Sequence, residues 1–259
     1  MPKCLVCYKW TLDEQDIKVK PEDLSLDSSR AKGKISDFDR NAIEEGTQLV
    51  EKNGGAVEAL SYGTSAVKQS LKDVLSRGPE KTYWIADASA ENADGAVTAK
   101  VLAAAIRKLG SYDLILCGEG SSDLFNQQTA QRLAALLGLP CVSYVKNMNV
   151  DGDYVRATRK LEDCEEEVTV KMPAVIQVLS EINKPRIPSL KQVLGAAKRP
   201  NQEIKVSDLG LKPEELQPKA ARRSVKGFVM QRKNIIYKEA NAAVNVAKLA
   251  ASLAAEGLC

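Results

Sequence analysis

The residues from Gly118 to Thr129 have the types and spacing of a loop that binds an anion. Gly118 and Gly120 allow the backbone to approach a ligand closely or to take a positive φ. A helix predicted from Asn126 adds free N–H groups and the positive end of its dipole. The pattern favours a nucleotide phosphate held by amides and hydroxyls, and a capped polar loop without a ligand remains the alternative. The neutral donors and acceptors are Ser121, Ser122, Asn126, Gln127, Gln128 and Thr129, with Asp123 placed to position an amide or to accept from a sugar hydroxyl.

Two neighbouring turns have similar chemistry. Lys9 and Trp10 follow a first apolar strand and could flank a ring or a phosphate. Gly63, Thr64 and Ser65 begin a helical pattern and could present a second N-cap that faces a phosphate. Both groups also fit ordinary strand and helix ends, so each is a hypothesis.

Several kinds of chemistry are excluded by residue types that the chain lacks. The sequence contains no histidine, which excludes His-dependent triads and His-ligated zinc hydrolase sites within this chain. It contains no G-x-x-x-x-G-K-[ST] motif, so ATP hydrolysis of the P-loop kind is not indicated. The six cysteines are scattered, as in a reducing compartment. Cys4 and Cys7 are expected on opposite faces of a strand, and we assign neither a metal site nor a catalytic residue.

Alternating strands and helices are needed to position these turns. Apolar strand runs span residues 4–10, 56–63, 82–88, 112–120 and 141–145, and helical patterns span 39–55, 65–80, 94–110 and 126–138. This alternation predicts an α/β fold with three layers, α/β/α, around a mostly parallel, doubly wound nucleotide-binding sheet. Ligands on such sheets bind at the carboxyl ends of the strands, near a switch in strand order. The turns after Cys7, Tyr62 and Cys117 are therefore expected to share one rim.

The pattern changes after about residue 147. Residues 148–179 predict a hairpin with Asp151 and Gly152 as its turn, followed by a further strand, and the acidic run at 162–167 is expected to form a solvated edge. Prolines and basic residues surround a short apolar segment at 182–200, and an amphipathic helix is predicted over 241–257. We expect residues 1–200 to form a nucleotide-binding domain and residues 201–259 to form an extended arm and helix.

The amino-acid composition limits the kinds of partner that the chain can bind. The net charge is only +3, from 37 basic and 34 acidic residues, which argues against a basic surface for nucleic acid. No apolar run reaches the ~18 residues of a membrane span, and the first apolar run is too short for a signal peptide. We therefore expect a cytoplasmic protein that binds no nucleic acid and inserts into no membrane.

Four stretches together resemble the beta subunit family of electron transfer flavoproteins. They are "CYKWTLD" at 7–13, "NQQTAQ" at 126–131, "ATRKLEDCEEEVTVKMPAVI" at 157–176 and "INKPRIPSLKQVLGAAKRP" at 182–200. The stretches follow the family's order, and the similarity covers about residues 3–200. "KDVLSRGPE" and "CGEGSSDL" are most similar to the Fix-type branch of the family.

The resemblance implies an electron-transfer subunit rather than a stand-alone enzyme. It implies a heterodimer with an alpha subunit that carries or shares an FAD. The beta-type subunit would hold its own adenine nucleotide, which is a structural AMP in simple carriers and a second FAD in members that bifurcate electrons from NADH. The residues that would line this site are Cys7, Tyr8, Lys9, Ser36, Gly63, Thr64, Cys117, Gly118, Asp123, Gln127, Gln128 and Thr129.

The resemblance also implies a recognition loop at 182–200. In it, Ile182 would enter an apolar pocket on a flavin-dependent dehydrogenase or a quinone oxidoreductase, with Asn183, Pro185 and Arg186 beside it. Burial of one such side chain is worth about 1.5–3 kcal/mol. The segment after residue 200 would pack on the alpha subunit.

The spacing of three charged residues points to a candidate NADH site. Arg159, Glu162 and Glu166 resemble the pattern of family members that use NADH, so NADH and ferredoxin are further candidate partners, with an interface role as the alternative.

Two readings from other classes stay open. A nucleotide-hydrolysing or adenylating enzyme on the same fold would turn over ATP as the isolated chain. A nucleotide-binding module of the universal stress type would bind ATP as a stable homodimer.

Overall fold

The computed structural model describes residues 1–230 and 232–258, and its largest element is a nine-stranded sheet. The strands are β1 (Lys3–Cys7), β2 (Trp10–Leu12), β3 (Lys18–Val19), β4 (Leu26–Asp27), β5 (Gly33–Ile35), β6 (Ala56–Gly63), β7 (Lys81–Ala86), β8 (Leu114–Gly118), β9 (Cys141–Asp151), β10 (Tyr154–Lys160), β11 (Glu165–Lys171), β12 (Ala174–Val178) and β13 (Asn201–Glu203). The α-helices are α1 (Asp37–Asn53), α2 (Leu71–Ser76), α3 (Gly95–Leu109), α4 (Thr129–Leu137), α5 (Leu190–Ala196) and α6 (Ala242–Ala255).

The order of the strands contains the switch that the sequence predicts. The order is β11-β10-β9-β12-β8-β1-β6-β7-β13. β1 pairs in parallel with both β6 and β8, and β12 pairs in parallel with β8 and β9. The chain runs outward from β1 through β6 and β7 and then returns to the other side of β1 as β8, so the strand order reverses between β1 and β8. The mostly parallel sheet with helices on both faces confirms the predicted three-layer α/β/α fold.

Apolar side chains alternate along β1 and enter a core on each face of the sheet. Cys4 and Val6 pack in the cluster that contains α1 and α2 residues. Leu5 and Cys7 pack in the cluster that contains α3 and α4 residues. The placement of Cys4 and Cys7 on opposite faces is therefore confirmed.

Two helices near the rim begin differently from their sequence patterns. The helix predicted from residue 126 begins at Thr129, because Phe125 and Gln127 have positive φ values of 45° and 54° that an α-helix does not contain. The helix predicted from residue 65 starts as a 3₁₀ segment, Ser65–Ser70, before α2. Both differences lie at the carboxyl-terminal rim of the sheet.

The antiparallel part of the sheet follows the sequence prediction. β9 and β10 pair as a hairpin, and Gly152 in its turn has a φ of 58°. β11 pairs with β10 and forms one edge of the sheet, and it carries the second half of the acidic run. The hairpin with its turn at Asp151 and Gly152 is confirmed.

The chain after residue 200 first extends the main sheet. β13 pairs in parallel with β7, and Ile204 and Val206 are buried against apolar residues of the α3 face. Burial of these two side chains holds this part of the chain against the main sheet. The main compact unit contains residues 1–18 and 26–225.

A second unit contains residues 19–25 and the residues from Lys226 onward. Its helix, α6, begins at Ala242 and is capped by Asn241, whose side chain accepts a hydrogen bond from the Ala243 N–H. Apolar side chains in this unit are exposed, including Phe228 at 80% and Val246 at 65%. Within the described residues, no helix has the length and apolar character to cross a bilayer.

Candidate functional site

Three parallel strands end together at one rim of the sheet. Cys7 at the end of β1 is level with Leu60 of β6 and with Cys117 of β8. The N-terminus of α1 and the loop of residues 119–128, called the nucleotide loop after its predicted role, lie beside the space outside the carboxyl ends of β1 and β8, called the gap below. The gap lies at the switch in strand order, the position at which doubly wound sheets bind ligands. The turns after β1, β6 and β8 therefore share one rim, as predicted.

Asp39, in the first turn of α1, joins the ends of β1 and β8. One carboxylate oxygen accepts a hydrogen bond from the Lys9 N–H at 2.8 Å, and the Gly118 N–H also donates to this carboxylate. Burial raises the pKa of Asp39 to about 7. The sequence patterns did not identify this residue; the available signal was an acidic residue in the first turn of a helix after Ser36.

Gly118 is required by the close approach of α1. A β-carbon at this position would lie 2.7 Å from the Asp39 Oδ1 atom and 2.7 Å from the backbone of Phe38. The glycine therefore lets the end of β8 contact the helix N-terminus, whereas the sequence pattern had suggested contact with a ligand.

Lys9 and Asp123 form an ion pair at the mouth of the gap. The Lys9 Nζ lies 2.5 Å from an Asp123 carboxylate oxygen, and each side chain is 39% exposed. Burial alone would raise the pKa of Asp123, but the Lys9 ammonium holds it below its usual value. The charge of Lys9 is thus balanced within the chain.

The first half of the nucleotide loop is fixed to α1. The Ser122 N–H donates to the Ser36 Oγ, and the Asp37 N–H donates to the Ser122 Oγ, both at 3.3 Å. The rings of Phe38 and Phe125 are 4.9 Å apart. Ser36 is buried, so it contributes to the site by holding the loop.

Glycine at position 120 leaves space for one of these rings. A β-carbon there would lie 2.6 Å from the ring of Phe125. Phe125 itself remains 46% exposed, so an aromatic face is available at the rim.

The second half of the loop ends at an open helix N-terminus. Gln127 takes a positive φ of 54°, a conformation that is uncommon and costly for a non-glycine residue. Gln128 is the N-cap of α4 but makes no side-chain cap bond; its Oε1 accepts from the Arg132 Nε at 3.0 Å instead. The Gln128 side chain therefore leaves the first-turn amides of α4, from Thr129, without a cap.

Other predicted lining residues lie below the rim. Cys7 and Cys117 are buried, and the neighbouring Cys7 thiol and burial raise the pKa of Cys117. The Tyr8 hydroxyl bonds to the Ser70 Oγ at 2.8 Å inside the core. These three residues can meet a ligand only through their backbone atoms.

The turn after β6 keeps its two predicted residues at the surface of the rim. Gly63 and Thr64 are half-buried, and Thr64 precedes the 3₁₀ segment Ser65–Ser70 without a side-chain cap bond. The hydroxyl of Thr64 is thus not used as a cap.

The recognition loop at 182–200 is fastened to α1 by two of its predicted docking residues. Arg186 forms paired hydrogen bonds with Glu44 at 2.8 and 3.0 Å and with Glu51 at 2.6 and 2.9 Å. Asn183 donates to the Glu45 carboxylate at 3.0 Å. Burial alone would raise the pKa of Glu44, but Arg186 holds it below its usual value. Arg186 and Asn183 therefore shape the loop.

The apolar groups that face outward in this loop differ from the predicted anchor. Ile182 is half-buried and packs against the main core, and Pro185 is also half-buried. Ile187, Leu190 and Leu194 are 93%, 74% and 61% exposed. Leu190 is the first residue of α5, a short helix that Ser189 caps.

The structure brings together two of the three residues that were predicted for an NADH or interface role. Arg159 on β10 lies opposite Glu166 on β11, and their side chains form an ion pair at 3.5 Å. Glu162 is exposed in the turn between these strands. The pairing holds the hairpin and leaves both carboxylates accessible from solvent.

A comparison with protein families identifies the chain's relatives. Residues 23–209, more than half of the chain, match the family model described as the electron transfer flavoprotein domain.

Proposed function

Because the chain belongs to the electron transfer flavoprotein domain family, we propose that it is a beta-type subunit of the Fix-type branch. In this role it holds an adenine nucleotide and passes electrons between a flavin-dependent dehydrogenase and a redox partner. The observation that supports this function is the nucleotide loop, which ends in a positive-φ residue and an open helix N-terminus at the strand switch.

The residues of the gap fit an adenine nucleotide. The amides at the start of α4 suit a phosphate, and the exposed ring of Phe125 suits a planar base or flavin. Asp123 is exposed enough to accept from a sugar hydroxyl while it keeps Lys9 in place. A bound flavin would supply the redox chemistry; this chain would bind it, orient it and exclude water from one side.

The lining residues fall into two groups by how they would contact the nucleotide. One group would use side chains or exposed amides, and the other would use only backbone atoms and packing. The first group is Lys9, Gly63, Thr64, Asp123, Gln127, Gln128 and Thr129, and the second is Cys7, Tyr8, Ser36, Cys117 and Gly118.

Docking to the dehydrogenase or quinone oxidoreductase uses the outer side of the recognition loop. Ile187 and Leu190 are apolar and exposed, and they are held at fixed positions because Arg186 fastens the preceding residues to α1. Exposed lysines at 184 and 191 favour an acidic partner surface. The docking role thus moves from Ile182 to its exposed neighbours.

Association with an alpha-type subunit is supported by the second unit. Phe228, Ile236 and Val246 are 80%, 71% and 65% exposed, which is costly in water unless another surface covers them. The arm and α6 would lie on the alpha subunit, which carries or shares an FAD.

The proposed function has two versions, which differ in the nucleotide that this chain binds. A simple carrier holds AMP in this chain, and a bifurcating protein holds a second FAD and oxidises NADH, with ferredoxin as a further partner. Arg159, Glu162 and Glu166 are accessible on the hairpin for an NADH or interface role.

The test is to co-express the chain with an alpha-type subunit and to count the nucleotides in the purified pair. One FAD and one AMP per heterodimer support the carrier, and two FAD without AMP support the bifurcating version. Failure to form a pair, or a pair without any adenine nucleotide, would contradict the proposed function.

A further inference from the structure

One buried glutamine connects both ends of the nucleotide loop. Gln177 lies near the carboxyl end of β12 and is 1% exposed. Its Nε2 donates to the carbonyl of Glu119 at 3.1 Å and to the carbonyl of Gln127 at 3.4 Å. Glu119 is the first residue of the loop and Gln127 is the last but one. One amide group therefore fixes the distance between the two ends of the loop.

The other side of the same amide is also satisfied. The Gln177 Oε1 accepts from the Gln131 Nε2 of α4 at 3.0 Å. Gln131 in turn donates to the Ser143 Oγ of β9 at 3.0 Å. Backbone carbonyls only accept and the Gln131 Nε2 only donates, so position 177 needs a donor and an acceptor on one rigid plane. A primary amide satisfies both needs, whereas a carboxylate would face two carbonyl oxygens.

The strained residue of the loop is one of the two that Gln177 holds. Gln127 has a φ of 54°, and such a conformation persists only where the surroundings enforce it. The hydrogen bond to its carbonyl comes from a strand in the middle of the sheet. The constraint is therefore applied from a rigid element to a loop that faces the ligand.

We propose that Gln177 is the positioning residue that keeps the nucleotide loop in its binding conformation. The identity of the ligand rests on the proposed function, whereas the order of the loop does not. Loss of the amide should therefore reduce nucleotide affinity and loop protection while the sheet keeps its stability.

The experiment compares the full chain with Gln177→Glu, Gln177→Leu and the control Gln202→Glu, which changes an exposed glutamine on β13. AMP and FAD binding are measured by calorimetry at pH 8 and pH 6, and amide hydrogen exchange is measured by peptide without nucleotide. For Gln177→Glu we expect an affinity loss of about 10-fold or more at pH 8, because two buried carbonyls lose their donor. At pH 6 the nucleotide affinity of Gln177→Glu should be closer to that of the original chain, since a protonated carboxyl group donates one hydrogen bond.

Gln177→Leu also removes the amide, but it introduces no group that titrates. Its affinity loss should be the same at both pH values, and exchange should rise in residues 119–128 but not in β8 or β12. Unchanged affinity and loop exchange in both variants would overturn the proposal. So would a rise in exchange throughout the sheet, or variants that do not fold. If the original chain binds neither AMP nor FAD, the proposed function fails, and the exchange of residues 119–128 still decides the role of Gln177.

Discussion

At the scale of single residues, Asp39 combines two demands that oppose each other. It accepts backbone hydrogen bonds from Lys9 and Gly118, which favours the carboxylate, and it is buried, which favours the neutral acid. Burial dominates and raises its pKa to about 7, whereas an unfolded aspartate titrates near 3.8. The protonation state of this group therefore changes near neutral pH, at the carboxyl ends of β1 and β8.

This shift predicts how stability depends on pH. Between about pH 4 and pH 7 the folded chain keeps a proton that the unfolded chain has released, so the contribution of Asp39 to the free energy of unfolding falls as the pH rises. Asp39→Asn removes this titration. We expect the free energy of unfolding of the variant, relative to the original chain, to rise from pH 5 to pH 7 in urea titrations.

Asp94→Asn, at the N-cap of α3, is the control for this prediction. Burial alone would raise the pKa of Asp94, but backbone N–H groups that donate to it hold its pKa below the usual value, so its stabilising contribution is complete above the unfolded pKa and is lost only as the pH falls through the folded pKa. Its variant should differ from the original chain by a constant amount between pH 5 and pH 7. A constant difference for Asp39→Asn as well would refute the assignment of the titrating group.

At the scale of elements, the contact between β8 and the N-terminus of α1 positions the site. Gly118→Ala would place a β-carbon 2.7 Å from the backbone of Phe38, so strand and helix must separate. We expect a loss of roughly 1–3 kcal/mol in the free energy of unfolding, as for other overpacked positions. Gly195→Ala in α5 is the control, because no atom lies within 4 Å of its added β-carbon. Equal effects of both changes in urea unfolding would contradict this role for Gly118.

Elements with a strong local pattern were predictable from the sequence. β6 has the predicted bounds, Ala56–Gly63, and α1 begins and ends within two residues of the predicted helix. The start of α4 was misplaced because positive φ at Phe125 and Gln127 depends on contacts with Phe38 and on a distant strand. β13 was missed because three exposed residues carry no periodic signal, and only pairing with β7 makes them a strand.

The residues of the candidate site also divide into those with a local sequence pattern and those that depend on contacts with distant parts of the chain. The loop residues were found because glycines, amides and hydroxyls cluster in the sequence. Asp39 and Gln177 were not found, since each lies far from the loop along the chain and reaches it only through the fold. The resemblance assigns the docking anchor to Ile182, and this assignment stays a prediction. Which side chains of the segment are exposed depends on how Arg186 and Asn183 bind α1, which the sequence alone does not show.

At the scale of the whole molecule, the proposed function requires that exposed apolar side chains of the recognition loop contact a partner during electron transfer. Leu190 is 74% exposed, so Leu190→Asp should leave the thermal midpoint almost unchanged and slow electron transfer with the partner dehydrogenase. Ile182 packs against the core, so Ile182→Asp should lower the thermal midpoint instead. Stopped-flow transfer kinetics and thermal unfolding of both variants check this prediction. A lower midpoint for Leu190→Asp with unchanged transfer would return the anchor to Ile182.

The two edges of the nine-stranded sheet have a consequence for colloidal behaviour. An open edge offers unpaired N–H and C=O groups to other chains and is a starting point for fibre formation. One edge, β13, is only three residues long, and the other, β11, begins with three consecutive glutamates. The short strand gives a second chain little to pair with, and the carboxylates repel a second copy of the same edge. If a partner covers the apolar side chains of the second unit, as the proposed function requires, the acidic edge would limit aggregation of the chain before that partner binds.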